Sequence, residues 1–158
     1  MRTPLLEVKN MSIVYQTRRG PLRAVEDISF TLDAGKTLGF VGESGCGKST
    51  VGMALMGLLP PNAAVSGGTV HFAGNNLLTL PKADLRQIRW SKIAMIFQAA
   101  MNALNPVHRV ADQVAEAILT HTPNLSKTAA MARVRELFDL VEIPAGRIND
   151  YPHQYAAA

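Results

Sequence analysis

Gly42-Glu43-Ser44-Gly45-Cys46-Gly47-Lys48-Ser49-Thr50 is the stretch whose reading decides the fold. It fits G-x-x-x-x-G-K-[ST], the pattern of a phosphate-binding loop. Its flanks matter more than the pattern itself. Ahead of it, Lys36-Thr37-Leu38-Gly39-Phe40-Val41 is a short apolar run and predicts a buried strand. Behind it, residues 49–59 predict a helix, stopped by Pro60-Pro61. Strand, glycine loop and helix are the context in which such a loop works. Glycines let successive N–H groups turn toward one anion. The helix start adds its positive dipole end and unpaired donors. In this arrangement Lys48 reaches the β- and γ-phosphates of a nucleotide, and the Ser49 hydroxyl ligates Mg²⁺. A dinucleotide-binding G-x-G-x-x-G reading fails, because position 50 is Thr and Lys48-Ser49 would have no role.

The chain is long enough, at 158 residues, for one domain with a real core. It has no run of about 18 apolar residues and no apolar segment behind Met1-Arg2-Thr3-Pro4, so neither a membrane span nor a leader is expected. Cys46 is the only cysteine, which excludes an internal disulfide and suits a cytosolic address. The formal charge of +4 comes from small basic groups with acidic residues interspersed. No aromatic residues interleave with them, so a nucleic-acid partner is not expected. The four histidines are too scattered for a zinc site.

Residues 5–15 alternate apolar and polar, the period of a half-buried strand. Residues 23–32 alternate again, with a bulge expected near Glu26-Asp27. Residues 60–68 read as a loop, 68–74 as a short strand, and 81–89 as a helix opened by Pro81. Residues 91–98 read as a second buried strand ending on Gln98. Two helices follow, the second capped by Ser126 with a stripe of Ala130, Val134, Leu137, Phe138 and Val141. The end, residues 143–154, reads as a loop. The expected architecture is α/β: an antiparallel β start, a parallel sheet core around the phosphate loop, then helices.

Two residues outside the loop bear on a nucleotide. Tyr15 stands on a strand before the loop, where an aromatic can stack on a base or simply pack in the core. Gln98 closes a buried strand, where its amide can reach Mg²⁺ and an attacking water or merely end the strand. Residues 100–106 carry Met and Leu in a loop, which suits either a docking surface or buried anchors.

Taken together, four stretches resemble the ATP-binding subunits of ABC transporters, and most closely the oligopeptide/dipeptide (and nickel) importer ATPases. They are Ala24-Val25-Glu26-Asp27-Ile28-Ser29-Phe30, the phosphate loop with Val41, Ile96-Phe97-Gln98 with Leu104-Asn105-Pro106-Val107, and Tyr151-Pro152-His153-Gln154. The resemblance covers residues 5–154. It implies a P-loop NTPase of ABC type whose parts here are an antiparallel β subdomain and loop core at about 1–98, and a Gln98-loop and helical subdomain at about 99–154. It makes Tyr15 the adenine-stacking aromatic and Gln98 the glutamine that senses Mg²⁺ and couples to membrane subunits. Lys48 and Gln98 become the catalytic pair. Gly42, Glu43, Ser44, Gly45, Cys46, Gly47, Lys48, Ser49 and Thr50 become the ATP cradle, with Ser49 and Gln98 on the metal. It further implies a second ATPase subunit, permease subunits meeting the loop at 98–106, and a place on the cytoplasmic face of the membrane. The pattern also departs from the family. Where Leu-Ser-Gly-Gly should follow Pro-His-Gln, Tyr155-Ala156-Ala157-Ala158 stands instead. The Walker B strand with its Asp, the catalytic Glu and the switch His are not present. The expectation is therefore the N-terminal part of a longer subunit, inactive alone, with 155–158 a tail of unclear origin. The alternatives are a soluble ABC-type ATPase of translation or DNA repair, and a module that binds nucleotide without hydrolysing it.

Overall fold

The computed structural model describes residues 3–97 and 103–155. It divides into two compact units, residues 1–89 and 90–158. In the first unit β1 (Leu6–Thr17) and β2 (Gly20–Leu32) form a long hairpin. Next come α1 (Lys48–Leu55), β3 (Ala63–Phe72), β4 (Asn75–Asn76) and α2 (Lys82–Ile88). The four strands make one antiparallel sheet in the order β2-β1-β3-β4.

The alternation along β1 sets the core. Val8 faces Phe30 on one side and Val70 on the other, and Ile13 faces Val25 and Val65. Val8, Met11, Ile13, Val25 and Val70 are all buried. Removing side chains of this kind from water contributes roughly 1.5–3 kcal/mol each. The bulge expected near Glu26-Asp27 is present: Met11 pairs with Ile28 and Ile13 with Val25, leaving two residues of β2 opposite Ser12 alone. Asn10 and Asp27 both take left-handed backbone angles there. Their amides are not left orphaned, because Asn10 N–H donates to Ser29 Oγ at 2.8 Å and Asp27 N–H to Ser12 Oγ at 2.9 Å. A side-chain bond from Asn10 Nδ2 to Asp27 Oδ1 at 2.7 Å ties the two irregular residues together.

β3 is longer than its composition suggests. Residues 63–67 were expected in a loop, yet they pair with β1, Val65 against Ile13 and Ala63 against Tyr15. Pairing with an exposed hairpin edge outweighs the turn-forming propensity of Pro, Asn, Ser and Gly. The runs at 36–41 and 91–97 differ in the opposite sense. Apart from an isolated bridge residue at Ile93, both are irregular, and neither is a ladder strand of a sheet among the described residues. A parallel strand exists only through its neighbours. Without them the apolar side chains stay open, Val41 at 99% and Ile96 at 93%. Phe40 finds one partner, meeting Phe30 edge-on with ring centroids 5.1 Å apart.

The second unit is helical: α3 (Val110–His121), α4 (Lys127–Leu140), a 3-10 turn (Ala145–Arg147) and α5 (Pro152–Tyr155). Its core is Val110, Ala111 and Ala115 from α3 against Ala130, Val134 and Phe138 from α4. Ser126 caps α4 as expected, its hydroxyl accepting from Ala129 N–H at 3.1 Å. The apolar stripe stops short of its expected end, since Val141 lies past the helix and is 62% exposed. The segment at 143–154 is folded rather than loose. Arg147 bonds Asp150 through Nε at 3.1 Å, donates to the Gln154 carbonyl at 2.6 Å, and stacks over the Tyr155 ring at 4.4 Å. Tyr155 Oη donates to the Arg147 carbonyl at 2.6 Å. Burial, with the Asp150 carboxylate adding to it and the Arg147 guanidinium opposing, raises the Tyr155 phenol above the usual tyrosine range.

Candidate functional site: the phosphate loop

The loop sits between the end of the open run at 36–41 and the start of α1. Gly47 is the residue before the helix, with φ +93. A Cβ there would lie 2.8 Å from the Ala24 carbonyl oxygen and 3.1 Å from Val25 Cγ2. Only glycine therefore lets the loop lie this close to β2. Gly45 is also left-handed, at φ +83. At Gly42 a Cβ would come within 2.7 Å of Cys46 Sγ, so the thiol occupies the space that the missing side chain leaves. Cys46 N–H donates to the Glu43 carbonyl at 3.3 Å and closes the turn.

Lys48 is the charge in this frame. Its Nζ donates to the carbonyls of Gly42 at 2.8 Å and Glu43 at 2.7 Å, and lies 3.3 Å from Cys46 Sγ. The ammonium is thus stretched back over the loop that precedes it. The first turn of α1 carries no acidic residue and receives no side-chain cap. Its amides at Lys48 and Ser49 have no acceptor within the helix, as in any first turn. Dipole, donors and ammonium all point to one small anionic group. Ser49 is exposed and Thr50 half-buried.

The far end of α1 is anchored as well. The carbonyls just past its end accept from Arg89: Nε reaches the oxygen of the C-cap Met56 at 2.7 Å and Nη2 the Gly57 oxygen at 2.8 Å. A cation at the C-terminal end complements the dipole of this eight-residue helix. Nothing in the sequence around Arg89 signals this contact, because its acceptors lie more than thirty residues upstream.

Beside the loop lies a cavity of about 410 Å³, walled by Val25, Ile28, Phe30, Phe40 and Val41, with Lys48 on its lining. Tyr15 does not line it. It stands on β1 opposite Leu22 and Ala63. By strand alternation it shares the face of Ile13 two residues away, and Ile13 pairs with Val25, against which Gly47 packs. Tyr15 and the phosphate loop therefore occupy the same side of the sheet. Gln98 lies outside the described residues, as do residues 99–102 of the loop that follows it.

The residues present suit a magnesium nucleotide. Mg²⁺ binds through few protein oxygens and keeps waters and phosphate ligands, and Ser49 offers one open hydroxyl. Among the described residues no group of three or more His, Cys, Asp or Glu forms an all-protein metal cage.

A glycine loop running into a helix N-terminus, with a lysine at its rim and an antiparallel sheet packed beside it, defines a phosphate-loop nucleotide-binding domain. The profile described as ABC transporter matches residues 25–157, and the chain belongs to that family. It is 44% identical over 154 residues to the dipeptide transport ATP-binding protein DppD of Lactococcus lactis subsp. cremoris, covering 96% of this chain and 44% of that protein. It is 43% identical over 155 residues to the oligopeptide transport ATP-binding protein OppD of Haemophilus influenzae, covering 97% of this chain and 47% of that one. The chain thus spans about half the length of the curated relatives it matches. In structure it is similar to the dimeric ATP-binding cassette MJ0796 in a post-hydrolysis state bound to ADP and Pi. The TM-score is 0.82 at 23% identity, covering 94% of this chain and 62% of that one. That likeness fixes the fold as that of an ABC cassette. No helix among the described residues is long and apolar enough to cross a membrane.

Proposed function

We propose that this chain is the ATP-binding part of the ATPase subunit of an oligopeptide or dipeptide importer. The observation that carries the reading is the arrangement of Gly45, Gly47 and Lys48 at the start of α1, one anion-directed site on a rigid helix. The names of the relatives supply the transport class.

In this reading the amides from Gly42 to Thr50 take the phosphates, and the Lys48 ammonium exchanges its two loop carbonyls for β- and γ-phosphate oxygens. Ser49 contributes its hydroxyl to Mg²⁺, which when bound neutralises developing phosphate charge. Tyr15 stacks on adenine, and Gln98 orients the attacking water. A second ATPase subunit completes the site, and permease subunits meet the loop at 98–106. The subunit lies peripherally on the cytoplasmic face of the membrane. Residues 1–98 form the β and loop core, and 99–154 open the helical subdomain.

Stacking separates the ring of Tyr15 from its hydroxyl. Tyr15→Phe should bind ATP nearly as the parent does, whereas Tyr15→Ala should lose on the order of 1–3 kcal/mol. Equal affinities for the two variants in a fluorescent-nucleotide titration would remove Tyr15 from the site.

Binding and turnover should also separate. Within the first unit Glu26 is engaged by Arg23 and Asp27 by Asn10. Glu43 lends the loop its carbonyl. Positioned charge supplies most of the barrier reduction in phosphoryl transfer, and the Glu26 and Asp27 carboxylates are each taken up by a neighbouring side chain. Residues 1–158 should bind ATP weakly and hydrolyse it near the background rate, while the longer subunit should turn it over. Nucleotide binding by calorimetry and phosphate release by a coupled assay test this. No ATP binding at all, or turnover by residues 1–158 at the rate of the longer subunit, would contradict it.

A further inference from the structure

α1 presents one end to the phosphate site and is fastened at the other. The site needs the first-turn amides open to an anion, and that end has no side-chain cap and no acidic residue. The body of the helix adds little hold. It has eight residues, of which Val51 and Ala54 are buried, and a helix this short is marginal without tertiary support. The C-terminal end closes in a Schellman turn. Gly57 N–H donates to the Ala54 carbonyl at 2.9 Å and Leu58 N–H to that of Met53 at 2.8 Å, with Gly57 left-handed at φ +60. The helix therefore ends without help from Arg89, and the guanidinium bonds the turn beyond it, at Met56 and Gly57. Leu85, one turn before Arg89 on α2, meets the same spot. A Cβ on Gly57 would lie 2.7 Å from Leu85 Cδ2 and 3.0 Å from Arg89 Nη2. α2 in turn follows Leu77, which is buried and whose N–H donates to the Val70 carbonyl of β3 at 2.8 Å.

A cation beside a helix terminus ordinarily does no more than complement its dipole. Two features go further here. The guanidinium reaches two carbonyls through two different nitrogens, which fixes direction as well as distance. Its acceptors also stand a whole helix, about 12 Å for eight residues, from the phosphate end. That exceeds the Debye length of about 8 Å at physiological salt, so through-space attraction for a phosphate is weak. What carries over that distance is the position of the helix, which moves as a rod. Gly47 lies against Ala24 and Val25 of β2 at one end, and Gly57 against Leu85 and Arg89 at the other, so α1 has little freedom to slide. Donors in a binding site need placing to within about 0.5 Å. Given that the loop at 42–50 takes nucleotide phosphates, we propose that Arg89 is a positioning residue for nucleotide binding: through α1 it sets where the amides of Lys48 and Ser49 meet those phosphates.

The test titrates Mg-ATP into the 158-residue chain and three variants, at a temperature where circular dichroism shows each of them folded. Arg89→Met keeps the apolar stem and removes both bonds. Gly57→Ala keeps the charge and presses a methyl against Nη2. Arg86→Met is the control, removing a cation from the last turn of α2 and neither bond. ATP affinity should fall about tenfold in Arg89→Met, the scale of one lost bond to a charged group, by a similar factor in Gly57→Ala, and not at all in Arg86→Met. The ratio to the parent should be the same at low and high salt, because position is not screened. Without nucleotide, the Lys48 and Ser49 amide shifts should already differ between parent and Arg89→Met, with Val8 and Val70 in the sheet core unmoved. Parental affinity in Arg89→Met, or in Gly57→Ala should Arg89→Met not fold, would overturn the positioning role. An equal loss in Arg86→Met, or a loss that disappears in salt, would assign the effect to charge and overturn it too. Unmoved Lys48 and Ser49 amides beside a real loss would show that Arg89 does not act through α1. A parent that binds no ATP would instead overturn the phosphate reading, and the proposal with it.

Discussion

Lys48→Ala should lower ATP affinity about 10- to 100-fold and leave the fold in place. The ammonium makes three contacts, all within its own loop: two carbonyls and one thiol. Two carbonyls freed on an exposed loop return to water, so the cost to stability is small. The cost to binding is larger, because no other cation in the described residues bonds to this loop. Hydrogen bonds to a charged group contribute roughly 1.5–3 kcal/mol each. Calorimetry with ATP measures the first effect and thermal unfolding the second. A variant that binds ATP as the parent does would end the assignment of Lys48. One that fails to fold would show that the lysine serves the loop rather than the ligand.

Gly68→Ala should be the most damaging single methyl in the first unit. Gly68 has φ +89, and a Cβ there would lie 2.4 Å from the Lys9 carbonyl oxygen and 2.5 Å from that of Asn10. Both atoms are backbone of β1, at the bulge where Asn10 is already left-handed. They cannot swing away as the end of a side chain can. Left-handed strain costs about 1–2 kcal/mol for an L-residue, and forced overlap in a packed region about 1–3 more. The expected loss is about 3 kcal/mol, a large share of the stability of a domain this size. Gly67→Ala is the matched control. Its Cβ would meet nothing within 4 Å and its backbone needs no positive φ, so it should stay within about 0.5 kcal/mol. Equal melting temperatures for the two variants would mean that β3 does not cross the β1 bulge at Gly68.

Local pattern carried the hairpin, because alternation and core face coincide along β1 and β2. The bulge was legible for the same reason: the alternation in 23–32 slips by one residue at Glu26-Asp27, and the ladder slips there too. The cap at Ser126 rests on neighbouring residues alone and could be read directly. The phosphate loop was legible because its geometry depends on glycines at fixed spacing. What could not be read depends on partners distant in sequence. Residues 63–67 became strand because β1 offered an edge. Residues 36–41 and 91–97 have the composition of buried strands, but burial belongs to a sheet and not to a segment. Arg89 was invisible because its bonds go to main-chain carbonyls chosen by the tertiary fold.

The central claim is that nucleotide phosphates sit on the loop at 42–50, at the mouth of α1. Amide chemical shifts of residues 1–158, followed during a titration with Mg-ATP, test it most directly. The account predicts saturable shifts at Gly45, Gly47, Lys48 and Ser49, with Val134 and Phe138 unmoved. Shifts absent from those four amides, or centred on the helical unit instead, would contradict it.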